Sequence, residues 1–408
     1  MNRLEPFEPA PALAVAVSGG ADSTALALLA RNWVVPRGGS LLALVVDHGL
    51  RAESGAEAAL TLGRLAGRGV SGRLLALHGL HRGPGLAARA RAARYAALTR
   101  ACAEQGILHL LLGHHMLDQV ETLGMRVQAR SGRAGLAAMA GVAEGEAVRL
   151  LRPLLAVPPG WLRGFLRETG LGWVEDPSNA DPASQRARIR LSMNDPGGES
   201  FAVMAKQVRA RQFGVQRAGM ERAAAAELAR SVRLHPEGWA VLPPGLVSAE
   251  ALAALLRTIA GCAYPVAAAQ VAALAASPRA ATLAGTRLLP AGRAGAPGAW
   301  LLVREAAAMA PPVPAVPGAI WDGRFRLSPC ARAKPGWQLG ALGPAASGLR
   351  RLRPDWPGAV LQALPALWEG PHLVAVPALG YPNAATCAGL GLRFAPAVPL
   401  AGAEFLPI

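Results

Sequence analysis

Leu13-Ala14-Val15-Ala16-Val17-Ser18-Gly19-Gly20-Ala21-Asp22-Ser23 sets an unbroken apolar run directly against two glycines, two hydroxyls and a carboxylate. A short apolar run closed by turn residues predicts a buried strand, Leu13 to Val17, followed by a tight turn into a helix beginning near Ser23. The same grammar recurs downstream. Strands are expected at Leu41 to Val46, Gly72 to Leu77 and Ile107 to Leu112, with helices beginning near Glu53 and Pro84 and a further one after Met116. Strands alternating with helical segments predict an α/β fold: a Rossmann-like parallel sheet with helices on both faces. In such a sheet the carboxyl ends of the strands share one edge, where ligands bind. Each strand runs into a polar segment: the Ser18 to Ser23 loop, then Asp47-His48-Gly49, His78, and Gly113-His114-His115.

The chain has 408 residues, 52% hydrophobic and 17% charged, which excludes a disordered or solvating chain and leaves room for more than one domain at roughly 150 residues each. Forty-two basic residues against 26 acidic ones give a net charge of +16, which favours polyanionic partners. Lys206 and Lys334 are the only lysines, however, and such arginine usage also follows from genome composition. The charge therefore gains meaning only where arginines cluster. No Gly-Lys pair occurs, so a Walker-type phosphate loop is excluded. Cys102, Cys262, Cys330 and Cys387 form no Cys-x-x-Cys pair, which argues against a zinc knuckle or a local redox motif. The apolar run at Leu13 is too short for a signal segment, and Ala306 to Trp321 is broken by Pro311, Pro312, Pro314 and Pro317. A cytoplasmic protein with no membrane partner is expected.

Four regions are expected along the chain: a catalytic domain over 1–200, a small helical domain over 201–309, a stiff Pro-rich linker over 310–319 and a compact α+β module over 320–408. Helical spacing in the second region is strongest at Met220 to Leu234 and Ala249 to Ile259.

Gly19 and Gly20 accept positive φ, so their N–H groups can converge on an anion at a helix N-terminus, with Ser18 and Ser23 adding hydroxyls. Asp22 cannot face phosphate comfortably except through a bound Mg²⁺. A Gly-Gly pair alone is as well read as an ordinary capped turn, and its place after the first buried strand is what favours nucleotide. His114, Asp118 and Glu121 stand on one helical face beside the same edge. Two carboxylates three residues apart need a cation between them, either Mg²⁺ or the ammonium of an amine substrate, unless they only line a solvated face. His78 and His115 are read as packed or capping. Arg89, Arg91 and Arg94 with Tyr95, and Arg186, Arg188 and Arg190 after Glu175-Asp176-Pro177-Ser178-Asn179-Ala180-Asp181, could hold a triphosphate or an RNA backbone, or be solvated.

Taken in order, Ser18-Gly19-Gly20-Ala21-Asp22-Ser23, Val46-Asp47-His48-Gly49-Leu50-Arg51, Arg91-x-x-Arg94-Tyr95, His114-His115-x-x-Asp118-Gln119-x-Glu121-Thr122, Ser131-Gly132-x-x-Gly135-Leu136, Arg152-Pro153-Leu154-Leu155 and Glu175-Asp176-x-Ser178-Asn179-x-Asp181 resemble the PP-loop ATP pyrophosphatases, and within them the tRNA(Ile)-lysidine synthetases. The first motif identifies only the superfamily; the ordered set, over residues 12 to 190, is specific. Departures fall at Leu117, at Ala129-Arg130 and at Ala187, and residues 320–408 resemble the family's acceptor-stem domain only loosely.

The resemblance implies an enzyme that uses ATP and Mg²⁺ to adenylate the wobble cytidine of an isoleucine tRNA with a CAU anticodon, after which the ε-amine of free L-lysine displaces AMP. It implies that Ser18, Gly19, Gly20, Asp22 and Ser23 hold phosphates and metal, with Asp22 the metal residue, and that Asp47, His48 and Arg94 complete the nucleotide site. Asp118 and Glu121 would receive lysine, and His114, a catalytic residue, would flank the nucleotide with Arg94. Arg91, Arg152, Arg186 and Arg190 would meet phosphate or tRNA. A homodimer is left open. Two other readings stand beside this one: a PP-loop tRNA thiolase, which the cysteine spacing disfavours, and a non-catalytic RNA-binding protein on the same fold, which the intact Asp22, Asp118 and Glu121 disfavour.

Overall fold

A computed structural model describes residues 1–49, 53–81, 83–175 and 185–408. Leu50 and Arg51, and Asp176 to Asp181 of the last motif, lie outside the described residues. Residues 1–219 together with 403–408 form one compact unit, and residues 220–402 a second.

The first unit is built on strands β1 (Ala12–Val17), β2 (Ser40–Asp47), β3 (Ser71–Ala76), β4 (His109–Leu112), β5 (Val142–Glu144) and β6 (Arg149–Leu151). Its helices are α1 (Ala21–Val34), α2 (Ser54–Ala66), α3 (Leu86–Glu104), α4 (Met116–Gln128), α5 (Arg133–Leu136), α6 (Pro159–Thr169) and α7 (Gln185–Met193), with the first part of α8 (Phe201–Ser231). The strand order is β3-β2-β1-β4-β6-β5, with β1, β2, β3, β4 and β6 mutually parallel and β5 antiparallel to β6. Leu13, Ala14 and Val15 of β1 and Leu110 and Leu111 of β4 are fully buried, as a strand covered on both faces requires. The order reverses between β1 and β4, so the crevice at their carboxyl ends is the fold's natural ligand site.

The expected strands and helices are present, with shifted ends. The fourth strand begins at His109, because the Ile107 N–H is taken by the Cys102 carbonyl in the turn that closes α3, where Gly106 has φ +65°. At the far end of β4, a Cβ on Gly113 would come within 3.1 Å of the Ser23 Cα. Glycine there lets the end of β4 lie against the first turn of α1, which brings the two polar loops together.

The second unit departs from the expected division. Alongside α8, α9 (Ala249–Ala260) and α10 (Ala268–Ala276) stand β7 (Arg233–His235), β8 (Trp239–Leu242), β9 (Ala281–Leu283), β10 (Thr286–Pro290) and β11 (Trp300–Arg304), paired in the order β7-β8-β11-β10-β9. The helical spacing of Met220 to Leu234 holds only to Ser231, since Leu234 pairs with Ala240 in the sheet. The Pro-rich stretch is not a free linker. Val313–Pro314 forms β12 at the edge of a sheet, pairing with Leu339 and Gln338, a position where proline's missing N–H is tolerated. Residues 220–402 thus close as one body. At its centre Asp322 is gripped by Arg304 Nε and Nη2 at 2.9 Å and by Arg324 Nε at 2.8 Å.

Candidate active site

The loop after β1 is shaped by its own hydroxyls. Ser23 Oγ accepts from the Ser18 N–H at 3.1 Å and donates to the Gly20 carbonyl at 3.1 Å, while Ser18 Oγ lies 3.2 Å from it. Gly19 takes φ +86°, and a Cβ there would sit 2.8 Å from Thr61 Oγ1. Gly20 is the N-cap of α1 and brings no side-chain cap, which favours an anion at that helix N-terminus. Asp22 in that turn has a buried Oδ1 without a partner. Burial raises its carboxyl above the ordinary range, Asp118 adds to the rise, and His115 and Arg163 oppose it.

Facing it is the start of α4. His115 is the N-cap, and its backbone N–H donates to Asp118 Oδ2 at 2.9 Å. Its ring reads as more than a cap: Nε2 stands 3.5 Å from Asp22 Oδ2 and Nδ1 3.6 Å from Asp118 Oδ2, so His115 joins the two acidic loops. Burial works against ionisation of Asp118, but His115, that N–H bond, His114 and Arg190 outweigh it and hold the carboxyl below its ordinary range. Glu121, one helical turn on, is fully buried. Burial pushes its carboxyl up against the pull of Arg190.

The cation between Asp118 and Glu121 is Arg190 of α7. Its Nε donates to Glu121 Oε1 at 2.6 Å and its Nη2 lies 3.8 Å from Asp118 Oδ1. The sequence pointed this arginine toward phosphate or tRNA, whereas here it satisfies the carboxylate pair. The reason is burial: two acids this close in a desolvated crevice demand a positive charge. Glu121 Oε2 still has no partner.

A cationic wall completes the site. His114 is pushed down to about 4 by burial, with Arg152, Arg91 and Arg186 adding to the fall and Asp118 opposing it. The Arg152 Nη1 donates to the Ala140 carbonyl at 2.9 Å, and its Nε is buried without a partner. On α3, the Arg91 and Arg94 guanidinium groups lie 5.1 and 5.6 Å from the Tyr95 ring centre, and Arg94 Nε is likewise unpartnered. His48 is held below its ordinary value by burial and by Arg94, and its Nδ1 is free. Asp47 spends Oδ1 on its own loop, accepting from Gly49 N–H at 2.9 Å and Ser54 Oγ at 2.6 Å. His78, expected to be packed or capping, is exposed.

Asp22, Glu121, His114, His48, Arg94 and Arg152 each carry a buried polar atom without a partner, the kind of atom that a bound polar ligand would satisfy. The donor set also fits Mg²⁺ in one limited way. Among the described residues no group of three or more His, Cys, Asp or Glu side chains could hold a metal by itself, but Asp22 offers one free carboxylate oxygen, and Mg²⁺ commonly takes one or two carboxylates with phosphate and water. Sequence reasoning missed Arg163 on α6, which acts on Asp22 and donates to the Pro196 carbonyl at 3.1 Å, and the bridging role of His115. No local signal marks Arg163. The His-His pair marked His115, and only the fold supplies its second acid.

A PP-loop domain family matches residues 1–195. The chain is 38% identical over 401 residues to the tRNA(Ile)-lysidine synthase of Ruegeria pomeroyi, covering 92% of this chain and 90% of that one. It is 38% identical over 332 residues to the synthase of Mesorhizobium japonicum, covering 77% and 71%. A solved U34-tRNA thiolase, NcsA from Methanococcus maripaludis with its [4Fe-4S] cluster, aligns over 52% of this chain and 73% of its own with 17% identity and a TM-score of 0.40. The full-length likeness to the first of these relatives, together with an ATP-binding PP-loop domain, places the chain in the tRNA(Ile)-lysidine synthase family of ligases.

Proposed function

We propose that the protein activates the wobble cytidine of a CAU-anticodon isoleucine tRNA with ATP and joins free L-lysine to it. In the first half, the cytidine C2 carbonyl oxygen attacks the α-phosphorus of ATP and pyrophosphate leaves. In the second, the neutral ε-amine of lysine attacks C2, the C2–O bond breaks, AMP leaves with the electron pair, and the amine loses a proton to give lysidine. The observation that carries this reading is the pairing, across the ends of β1 and β4, of an anion-receiving loop with a desolvated pair of carboxylates.

The residues divide the work. The α1 N-terminus with Ser18, Gly19 and Gly20 receives phosphate, and the cationic wall of Arg91, Arg94, Arg152 and Arg186 takes the charge of nucleotide and RNA. Bound Mg²⁺ would neutralise charge on the pyrophosphate leaving group, with Asp22 holding it. Asp118 and Glu121 seat the ammonium of lysine once Arg190 yields its place; that proton, lost before attack, and the one lost after it pass to solvent, while His114, kept neutral by burial, stands beside them to accept a hydrogen bond from the amine. Alignment of the amine against an activated carbon supplies much of the rate.

The two halves can be separated. With α-labelled ATP and the tRNA but no lysine, label should appear on the tRNA and chase to free AMP when lysine is added. Label that never reaches the tRNA would refute the adenylated intermediate, and pyrophosphate release without RNA would point to another acceptor.

A further inference from the structure

Residues 403–408 belong to the same compact unit as the catalytic sheet. Phe405 and Ile408 are buried there at 4% and 7% exposure, and Ile408 packs in the core that holds Leu4, Val142 and Leu151. The segment is fixed at three places. The Gly141 N–H donates to the Leu406 carbonyl at 2.9 Å. Buried Gln207 of α8 donates through Nε2 both to the Leu155 carbonyl at 3.1 Å and to the Ile408 carbonyl at 3.3 Å. The Arg217 guanidinium covers the Phe405 ring at 4.4 Å.

The first of these fixings leads directly to an active-site arginine. Gly141 gives its N–H to the tail and its carbonyl to the Arg152 N–H at 2.8 Å, and the neighbouring Ala140 carbonyl takes Arg152 Nη1 at 2.9 Å. Gln119 of α4 clamps the other side of the turn through both polar atoms: its Nε2 donates to the Met139 carbonyl and its Oε1 accepts from the Met139 N–H, each at 2.8 Å. Ala138 in that turn holds φ +56°, a conformation an alanine keeps only under such restraint. The fit is tight, since a Cβ on Gly141 would fall 2.2 Å from Ile408 Cδ1.

We propose that the segment Phe405–Ile408 is a positioning element of the active site: it backs the 138–141 turn, and through the Gly141 and Ala140 carbonyls it sets where the Arg152 guanidinium stands beside His114. Arg152 meets the ligand, while Gly141, Leu406, Ile408 and Gln207 act through it. The role assigned to Arg152 rests on the function proposed above; the mechanical linkage does not.

The test uses the full chain without tRNA, ATP or lysine. Gly141→Ala places a methyl group where Ile408 stands, and Ile408→Ala removes the atoms it meets. The readout is the titration of the His114 ring by NMR of histidine-labelled protein. Arg152, Arg91 and Arg186 oppose protonation of that ring and Asp118 favours it, so moving Arg152 outward should raise the midpoint by about half a pH unit or more. The expected result is an upward shift in Gly141→Ala that the double variant with Ile408→Ala reverses. A fall in melting temperature with the His114 midpoint unmoved would overturn the proposal, as would a shift the double variant fails to reverse. If Gly141→Ala does not fold, Gln207→Met, which frees the Ile408 carbonyl and leaves the Gly141 contact alone, is read in the same way. Lysine transfer by the unaltered protein tests the function separately.

Discussion

Arg190 donates to Glu121 at 2.6 Å across 69 residues of sequence, and this contact closes the carboxylate pair that α4 presents to the crevice. Glu121 is fully buried while Arg190 keeps 35% of its side chain exposed, so the pair is lopsided. The acid depends on the arginine far more than the reverse. Removing the guanidinium leaves a desolvated carboxylate, so Arg190→Met should cost about 1–3 kcal/mol at neutral pH, below the full value for a wholly buried pair because the arginine is partly solvated. Urea unfolding checks it. A variant as stable as the parent would mean that Glu121 is protonated already.

The same contact bears on catalysis. In the proposed reaction the ammonium of lysine takes over the guanidinium's place, so Glu121→Gln should raise the KM for lysine about a hundredfold, a loss of ~2.7 kcal/mol. It should leave adenylation of the tRNA within a fewfold of normal. Equal loss of both half-reactions would assign Glu121 to the scaffold instead.

His114 makes stability depend on pH. The unfolded chain takes up a proton near pH 6.5, whereas folded His114, pushed down to about 4 by burial first and then by the arginines, does not. Stability present above pH 6.5 is therefore lost as pH falls toward 4, at up to about 1.4 kcal/mol per pH unit. His114→Gln should flatten that slope in denaturation series across the window. An unchanged slope would place the titration elsewhere.

Gly19 is pinned by geometry. Its φ of +86° and the 2.8 Å approach of Thr61 Oγ1 to a would-be Cβ mean that Gly19→Ala should cost about 1–2 kcal/mol and displace the anion-receiving N–H groups. Calorimetry with an ATP analogue should show affinity reduced about tenfold. Unaltered affinity would remove Gly19 from the phosphate cradle.

The catalytic half was legible because parallel strands buried on both faces must be continuous apolar runs, and their polar ends stand out against them. The 220–402 unit was not. Strands of three to five residues such as Arg233–His235 and Thr286–Pro290 carry too few residues for a period to show, and the Pro-rich run looked like a linker because nothing local reveals that Val313 pairs with Leu339. In the site, spacing along one helix put Asp118 and Glu121 together. The cation they share comes from α7, and His115 finds Asp22 only when β1 and β4 are neighbours.

The most direct measurement is to incubate the protein with ATP, Mg²⁺, labelled free lysine and bacterial tRNA, then count label remaining on the RNA after alkaline deacylation. Alkali-stable label that requires ATP and resides on isoleucine tRNA with the CAU anticodon is the predicted result. No stable label, with tRNA shown to be chargeable, would contradict lysine ligation.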